Sequence, residues 1–87
     1  MYQAKVRISL KPSVLDPQGE TVKRALGSLG FESVSDVRAG KYFEITLDAK
    51  SATEAEAAVE QMCSKLLANP VIEQYAYEVV RLGGTHS

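Results

Sequence analysis

Few residues in this chain have types and spacings that could support catalysis. The sequence contains one cysteine, Cys63, and one histidine, His86. A cysteine nucleophile needs a nearby base, usually a histidine. Cys63 falls on the apolar stripe of a predicted helix, where cysteine behaves as a small hydrophobic residue, whereas His86 is next to last in a glycine-containing tail. The pattern therefore predicts neither a Cys–His dyad nor a zinc site, which needs several such ligands.

Two other short patterns resemble known kinds of site without matching them. Glu56 and Glu60 lie one helical turn apart, but on an alanine-rich helix this spacing is typical of a solvated surface. Gly40-Lys41 lacks the rest of a phosphate-binding loop, which requires glycine where Ser35 stands and Ser or Thr where Tyr42 stands. We therefore expect no catalytic residue, no cofactor-binding residue and no metal ligand in this chain.

Composition and charge limit the class of protein. Apolar residues make up 45% of the 87 residues and charged residues 24%, which is typical of one folded domain. Ten basic residues against eleven acidic ones give a net charge of −1, which argues against binding to nucleic acid or to a membrane surface. No apolar run exceeds three residues, so we expect no bilayer-spanning or signal segment. A single cysteine fits a reducing compartment, and we expect a cytoplasmic protein.

The spacing of apolar residues predicts four strands and two helices. The segments are, in chain order, a strand at 2–10, a helix at about 17–29, a strand at 33–38, a hairpin turn at 38–41, a strand at 42–48, a helix from about 51 to 69 and a strand at 71–80. Gly30 is the expected end of the first helix, and the hairpin offers Gly40 for a positive φ. Ser51 and Glu54 form a capping box at the start of the second helix.

The order β-α-β-β-α-β predicts an α+β two-layer sandwich of the ferredoxin-like kind, with an antiparallel sheet and two helices on one face. The second helix places its main apolar stripe at Ala55, Val59, Met62 and Leu66, with Ala58, Cys63 and Leu67 beside it. The last strand has apolar residues on both faces, with Ile72, Ala76 and Val80 on the second. We therefore expect the protein to form oligomers through the sheet. Residues 1–80 form the predicted single domain and 81–87 a flexible C-terminal tail.

The first turn of the first helix contains an unusual glycine. Asp16 is a favourable N-cap and Pro17 suits the first helical position, but Gly19 stands where a capping box has Glu or Gln. A glycine inside a helix costs about 0.5–1 kcal/mol relative to alanine. Either a partner approaches this turn closely, or the glycine relieves crowding against the end of the first strand within one chain.

Three segments together resemble the PurS family, whose members are small subunits of phosphoribosylformylglycinamidine (FGAM) synthase. They are "LDPQGETV" at the first helix, "SDVRAGKYFEI" across the predicted hairpin and "LLANPVIEQYAYEV" before the last strand. The resemblance covers roughly residues 2–80. It implies a complex that converts formylglycinamide ribonucleotide (FGAR), glutamine and ATP into FGAM in de novo purine synthesis. A glutaminase subunit, PurQ, releases ammonia, and a synthetase subunit, PurL, uses ATP and magnesium to activate the amide.

The resemblance implies that this chain binds no cofactor itself, is inactive when isolated, joins PurQ to PurL and helps to transfer ammonia. Its expected partners are PurQ, PurL and further copies of itself in a dimer or tetramer, with no nucleic acid and no membrane. We favour a partner as the reason for Gly19, so that Gly19→Leu would leave the chain folded but weaken the complex. The candidate interface residues are Asp16, Pro17, Gln18, Gly19, Arg38, Gly40, Lys41, Glu73 and Tyr75.

Two other classes of protein use the same predicted topology. A regulatory module of the ACT-like type binds small ligands at glycine-rich turns between the first strand and helix, where this chain has Asp16-Pro17-Gln18-Gly19. Such a module would be stabilised by its ligand in a thermal-shift screen. An acylphosphatase-like enzyme would turn over substrate alone, but its arginine-bearing anion loop has no counterpart in residues 11–19.

Overall fold

Three strands and two helices alternate along the chain in the computed structural model, which describes residues 1–83. Their bounds are β1 Tyr2–Leu10, α1 Pro17–Ser28, β2 Gly40–Leu47, α2 Ala52–Met62 and β3 Glu73–Arg81, with a π-helical turn, Cys63–Leu67, continuing α2. The predicted α+β class, with an antiparallel sheet and two helices, is confirmed. The observed order is β-α-β-α-β, because residues 33–38 do not form the predicted second strand.

The sheet has β1 at its centre, antiparallel to both β2 and β3. In β1, alternate residues from Tyr2 to Ile8 are buried on one face, which we call the inner face, as the apolar alternation predicts. Val6 on this face lies opposite Phe43 of β2 and Tyr77 of β3. The opposite, outer face is mostly polar, and the expected apolar side of the last strand is reduced because Ile72 lies before β3 begins.

Residues 33–38 bind to the start of α1 rather than to β2. Ala39 N–H donates to Asp16 Oδ2 at 2.7 Å, and Arg38 Nη2 donates to the carbonyl oxygens of Lys11 and Val14, each at 3.0 Å. These bonds join positions 23 to 27 residues apart, which a local sequence pattern does not reveal. The predicted strand at 33–38 and the hairpin turn at 38–41 are therefore wrong.

Gly40 serves a different purpose from the one the sequence predicts. Among the described residues only Gly30 is a glycine with positive φ, at 100°. A Cβ on Gly40 would lie 2.6 Å from the carbonyl oxygen of Ile8, which is closer than any side chain tolerates. Glycine at this position therefore allows β2 to begin in close contact with β1.

The core lies between the inner face and α2. Ala4, Val6 and Ile8 of β1 pack with Val59 and Cys63, and Ala68 completes the cluster. Ser51 Oγ accepts a hydrogen bond from Glu54 N–H at 3.2 Å, which confirms the predicted cap. The π-helical turn, in which Ala68 N–H donates to Cys63 O at 2.9 Å, changes the helical register. Leu67, predicted beside the main stripe, packs on the core, whereas Leu66, predicted on the main stripe, is 82% exposed.

Helix α1 has well-formed ends but little contact with the rest of the fold. At its C-terminus, Phe31 N–H bonds to Leu26 O and Gly30 N–H to Gly27 O, each at 3.0 Å, which is a Schellman motif and confirms the predicted stop at Gly30. Contacts of α1 with the sheet and with α2 are marginal at most. The prediction that both helices cover one face of the sheet therefore holds for α2 but not for α1.

The C-terminal boundary differs slightly from the prediction. Strand β3 continues through Arg81, and Leu82 N–H donates to Met1 O at 2.9 Å, so the sheet extends into the predicted tail. The remainder of that tail, residues 84–87 with His86, lies outside the described residues. No helix within residues 1–83 is long and apolar enough to cross a bilayer.

The change of register in the π-helical turn predicts different costs for two neighbouring substitutions. Leu67→Ala should lower the free energy of unfolding by about 2 kcal/mol, because Leu67 packs on the core. Leu66→Ala removes the same atoms from an exposed side chain and should change it by less than about 0.5 kcal/mol. Urea denaturation of both variants measures the difference, and equal costs would contradict the observed register.

Candidate functional site

The start of α1 is held by one buried carboxylate. Asp16 is 5% exposed, and as the N-cap its Oδ1 accepts Gly19 N–H at 3.0 Å while its Oδ2 accepts Ala39 N–H at 2.7 Å. The bond from Gly19, then that from Ala39, and then the Arg38 charge lower the pKa of Asp16 from its usual value, and together they outweigh the effect of desolvation. We call residues 11–19 together with 37–39 the α1 root.

Gly19 is required by packing within the α1 root. A Cβ at this position would lie 2.2 Å from the carbonyl oxygen of Val37 and 2.7 Å from Asp16 Oδ2. Because the nearer atom belongs to the backbone, no side-chain rotation relieves the overlap. The glycine therefore has an explanation within one chain, as the second interpretation proposed, although it meets the backbone of Val37 rather than the end of the first strand. The expected contact of Gly19 with a partner stays a prediction, but the expectation that Gly19→Leu leaves the isolated chain folded is contradicted, because any side chain at this position overlaps Val37 O.

A cleft beside the α1 root brings together five of the nine candidate interface residues. Its volume is about 250 Å³, and it lies where β1 ends and β2 begins. This is below the roughly 300–1,000 Å³ typical of pockets that enclose a small ligand. Among its lining residues are Asp16, Gln18, Gly40, Lys41 and Glu73.

A salt bridge crosses the cleft between the two outer strands. Lys41 Nζ of β2 lies 3.3 Å from Glu73 Oε2 of β3. Glu73 Oε1 also accepts Asn69 N–H at 2.7 Å. The bond from Asn69 and then the Lys41 ammonium hold the pKa of Glu73 below its usual value. The polar partners of Glu73 are thus supplied by the same chain.

The other four candidates lie outside the cleft. Pro17 is exposed in the first turn of α1, and Gly19 is buried behind it. Arg38 closes the α1 root through Lys11 and Val14. Tyr75 lies on the inner face, where its hydroxyl donates to the Glu60 carboxylate.

Glu60, which the sequence predicts to lie on a solvated surface, holds two tyrosines of the inner face. Its carboxylate also accepts a hydrogen bond from the Tyr77 hydroxyl at 3.1 Å, and the stacked rings of Tyr75 and Tyr77 lie 6.4 Å apart. The bond to Glu60, followed by desolvation, raises the pKa of Tyr75 to about 12. The sequence feature that could have revealed this contact is a pair of tyrosines two residues apart on one face of a strand. Their hydroxyls need a hydrogen-bond partner, which the helix packed on that face can supply.

Cys63 and the acidic side chains are the residue types that could serve as a nucleophile or as metal ligands. Cys63 is fully buried, and desolvation, with a smaller effect of the Glu60 charge, raises the pKa of its thiol. Within residues 1–83, no group of three or more His, Cys, Asp or Glu side chains is placed to hold a metal ion. The absence of a cofactor or metal site from the whole chain stays a prediction.

Gly19 and Gly27 form a matched pair within α1 for testing the close contact. Gly19→Ala should lower the free energy of unfolding of the isolated chain by about 2 kcal/mol or more, because the new methyl overlaps Val37 O. Gly27→Ala meets nothing within 4 Å and should raise stability by about 0.5–1 kcal/mol. Chemical denaturation gives both values. If Gly19→Ala left stability unchanged, the intrachain explanation would be wrong.

Asp16 predicts a pH dependence of stability. Because its pKa is lower in the folded state than its usual value of 3.8, its contribution is complete above that value and is lost as the pH falls through the folded-state pKa. Asp16→Asn keeps one acceptor but does not titrate. The stability difference between the wild-type and this variant, measured by urea denaturation between pH 6 and 2, should therefore shrink at acidic pH. A difference independent of pH would show that the carboxylate charge is unimportant.

Known proteins resemble this chain in sequence and in structure. The family model described as "PurS: Phosphoribosylformylglycinamidine (FGAM) synthase" matches residues 3–81. Subunit PurS of phosphoribosylformylglycinamidine synthase from Bacillus subtilis is 56% identical over 79 residues, which are 91% of this chain and 93% of that protein. The crystal structure of PurS from Methanocaldococcus jannaschii has a TM-score of 0.87 at 43% identity, over 95% of this chain and all of that one. A chain in the structure of PurLQS from Thermotoga maritima has a TM-score of 0.84 at 29% identity, over 91% and 96% of the two chains.

Proposed function

Because the chain belongs to the PurS family of FGAM synthase subunits, we propose that it is the non-catalytic subunit that joins the glutaminase PurQ to the synthetase PurL and assists ammonia transfer. The complex makes FGAM from FGAR, glutamine and ATP in purine biosynthesis. Likeness to a chain in the PurLQS structure of Thermotoga maritima supports a place in the corresponding complex.

One observation carries the proposal that the bond-making groups belong to the larger subunits. The carboxylates best placed to act in or near the cleft are already engaged within this chain. Asp16 accepts two backbone N–H groups, and Glu73 accepts one and pairs with Lys41. Groups held in this way stabilise the fold, and a general acid or base would have to break such bonds in order to exchange protons. ATP and magnesium are accordingly proposed to bind PurL.

The surface proposed for contact with a larger subunit is the rim of the cleft. Gln18 and Lys41 are exposed there, beside the α1 root. A preformed surface loses little conformational entropy on binding, which favours a scaffold role. Self-association and a cytoplasmic location remain part of the proposal.

Reconstitution tests this function. The chain is mixed with PurQ and PurL from the same organism, and FGAM is measured with either glutamine or ammonium as nitrogen source. Glutamine-dependent synthesis should require all three proteins, whereas ammonium-dependent synthesis by PurL should not require this chain. Turnover by the isolated chain, or a full glutamine-dependent rate without it, would refute the proposal.

Charge reversal at two lysines compares the cleft rim with another part of the surface. Lys41→Glu reverses a charge at the cleft, and Lys50→Glu makes the same change after the far end of β2. Both side chains belong to exposed residues. Lys41→Glu should raise the concentration of this chain needed for half-maximal glutamine-dependent activity at least about tenfold, a loss of roughly one good charged contact. Lys50→Glu should leave it unchanged, and equal effects would exclude the rim as the contact.

A further inference from the structure

The outer face of the sheet carries charges that are matched in one row of the register and unmatched in the next. Lys5 of β1 lies opposite Glu44 of β2 and Glu78 of β3, so an acid faces it on both sides. Two residues further along β1, Arg7 lies opposite an uncharged residue of each neighbouring strand. Directly opposite residues have Cβ atoms about 4.5–5.5 Å apart. The register therefore supplies neutralising neighbours to Lys5 but not to Arg7.

A hollow with a volume of about 460 Å³ opens beside Arg7, where β2 begins. This volume is within the roughly 300–1,000 Å³ typical of pockets that hold a small ligand. Ser9 lies opposite Gly40 here, and because glycine has no side chain, space is left above the strands. We call this space the outer hollow, and its lining includes Arg7, Ser9, Arg38, Gly40 and Tyr42.

Two guanidinium groups without a carboxylate partner belong to the lining of the outer hollow. Arg38 Nη2 donates to the carbonyl oxygens of Lys11 and Val14, which fixes the group in place but leaves its positive charge without a counter-ion. Arg7 is exposed, and within residues 1–83 neither arginine forms a salt bridge. Lys41, the third cation of the lining, is neutralised by its salt bridge. The outer hollow therefore contains two unpaired positive charges, one of them held in a fixed position.

The nearby acids do not line the outer hollow. Glu44 lies one row further along β2, opposite Lys5. Asp36 lines a separate depression, which it shares with Arg38. Among the described residues, the lining of the outer hollow includes no aspartate or glutamate. An anion in the hollow would therefore meet the charges of Arg7 and Arg38 without a carboxylate beside it.

We propose that the outer hollow binds a nucleoside monophosphate, with the phosphate on Arg7 and Arg38 and the base against the ring of Tyr42. A phosphate monoester carries about −1.5 to −2 charges at neutral pH, which two guanidinium groups match. The planar guanidinium donates paired hydrogen bonds to phosphate oxygens. Tyr42 is 52% exposed, so one face of its ring is accessible for stacking with a base. This inference goes beyond the proposed function and does not depend on it.

A panel of ligands tests the site in the wild-type chain. AMP, ribose 5-phosphate, inorganic phosphate and adenosine are titrated into isotope-labelled protein, and the chemical shifts of the backbone amides are measured. AMP should bind most tightly, the two phosphates without a base more weakly, and adenosine not measurably. The shifted amides should group at residues 7–9 and 38–42. Raising the salt concentration from about 20 to about 200 mM should weaken AMP binding, because solvent-exposed charges are screened.

Lys5 provides a matched control for Arg7, because both residues lie on the outer face of β1. Arg7→Gln and Lys5→Gln each remove one positive charge. Arg7→Gln should raise the Kd for AMP at least about tenfold through loss of a charge-assisted hydrogen-bonded pair, and Lys5→Gln should change it less than about twofold. Tyr42→Leu should weaken binding of AMP but not of ribose 5-phosphate, which has no base. If Arg7→Gln does not fold, Arg7→Lys, which keeps the charge but loses the paired donors, replaces it.

Three results would overturn the proposal: no saturable binding of AMP to the wild-type chain, equal losses in Arg7→Gln and Lys5→Gln, or adenosine bound as tightly as AMP. If no phosphate compound bound but Arg7→Gln weakened glutamine-dependent synthesis with PurQ and PurL, a carboxylate of a larger subunit would occupy the outer hollow instead. That outcome would refute the nucleotide site while leaving the assembly function intact. Normal AMP binding with failed reconstitution would refute the proposed function alone.

Discussion

The carboxylate of Asp16 is the interaction on which the rest of this structure depends. It joins the first turn of α1 to a backbone segment more than twenty residues later in the chain, through Gly19 N–H on one side and Ala39 N–H on the other. A short-range cap alone would fix only where a helix begins. The second bond also fixes the position of residue 39, and therefore where β2 enters the sheet at Gly40. The direction of α1 and the position of the strand are consequently coupled through one side chain.

This coupling determines which surfaces the chain presents. Residues 37–39 belong to the α1 root, and 33–38 do not extend the sheet beyond β2. Helix α1 in turn runs in a direction in which it does not cover the inner face. A chain of 87 residues has a small core in any arrangement, because short chains bury only about 60–65% of their unfolded surface. Within residues 1–83, α1 and the part of the inner face over β2 have few packing contacts, which reduces that core further. The self-association included in the proposed function would add buried apolar surface to this small core.

Local patterns in the sequence were sufficient for the elements whose contacts are local. The alternation in β1, the cap at Ser51 and the stop at Gly30 were predicted because each depends on neighbouring residues. The errors arose where a distant or irregular contact decided the outcome. Extended residues at 33–38 form no strand because Asp16 and the carbonyls of the α1 root bind their end. Leu66, predicted on the apolar stripe, is exposed next to the π-helical turn. Five of the candidate interface residues lie in one cleft. Their hydrogen-bond and salt-bridge partners within the chain could not be predicted from the spacing of residues in the sequence.

The same carboxylates that stabilise the fold are the physical basis of the non-catalytic role proposed for this chain. Asp16, Glu60 and Glu73 each accept hydrogen bonds from other elements or from the loop before β3, so their negative charge stabilises the fold. The pKa values of Asp16 and Glu73 are lowered by their hydrogen bonds, which does not suit a group that must exchange protons during a reaction. Under the proposed function, a chain with no part in proton transfer would hold its surfaces in one geometry throughout the catalytic cycle. The proposed scaffold between a glutaminase and a synthetase would require that constancy, because ammonia released at one site would have to reach the other without loss to solvent.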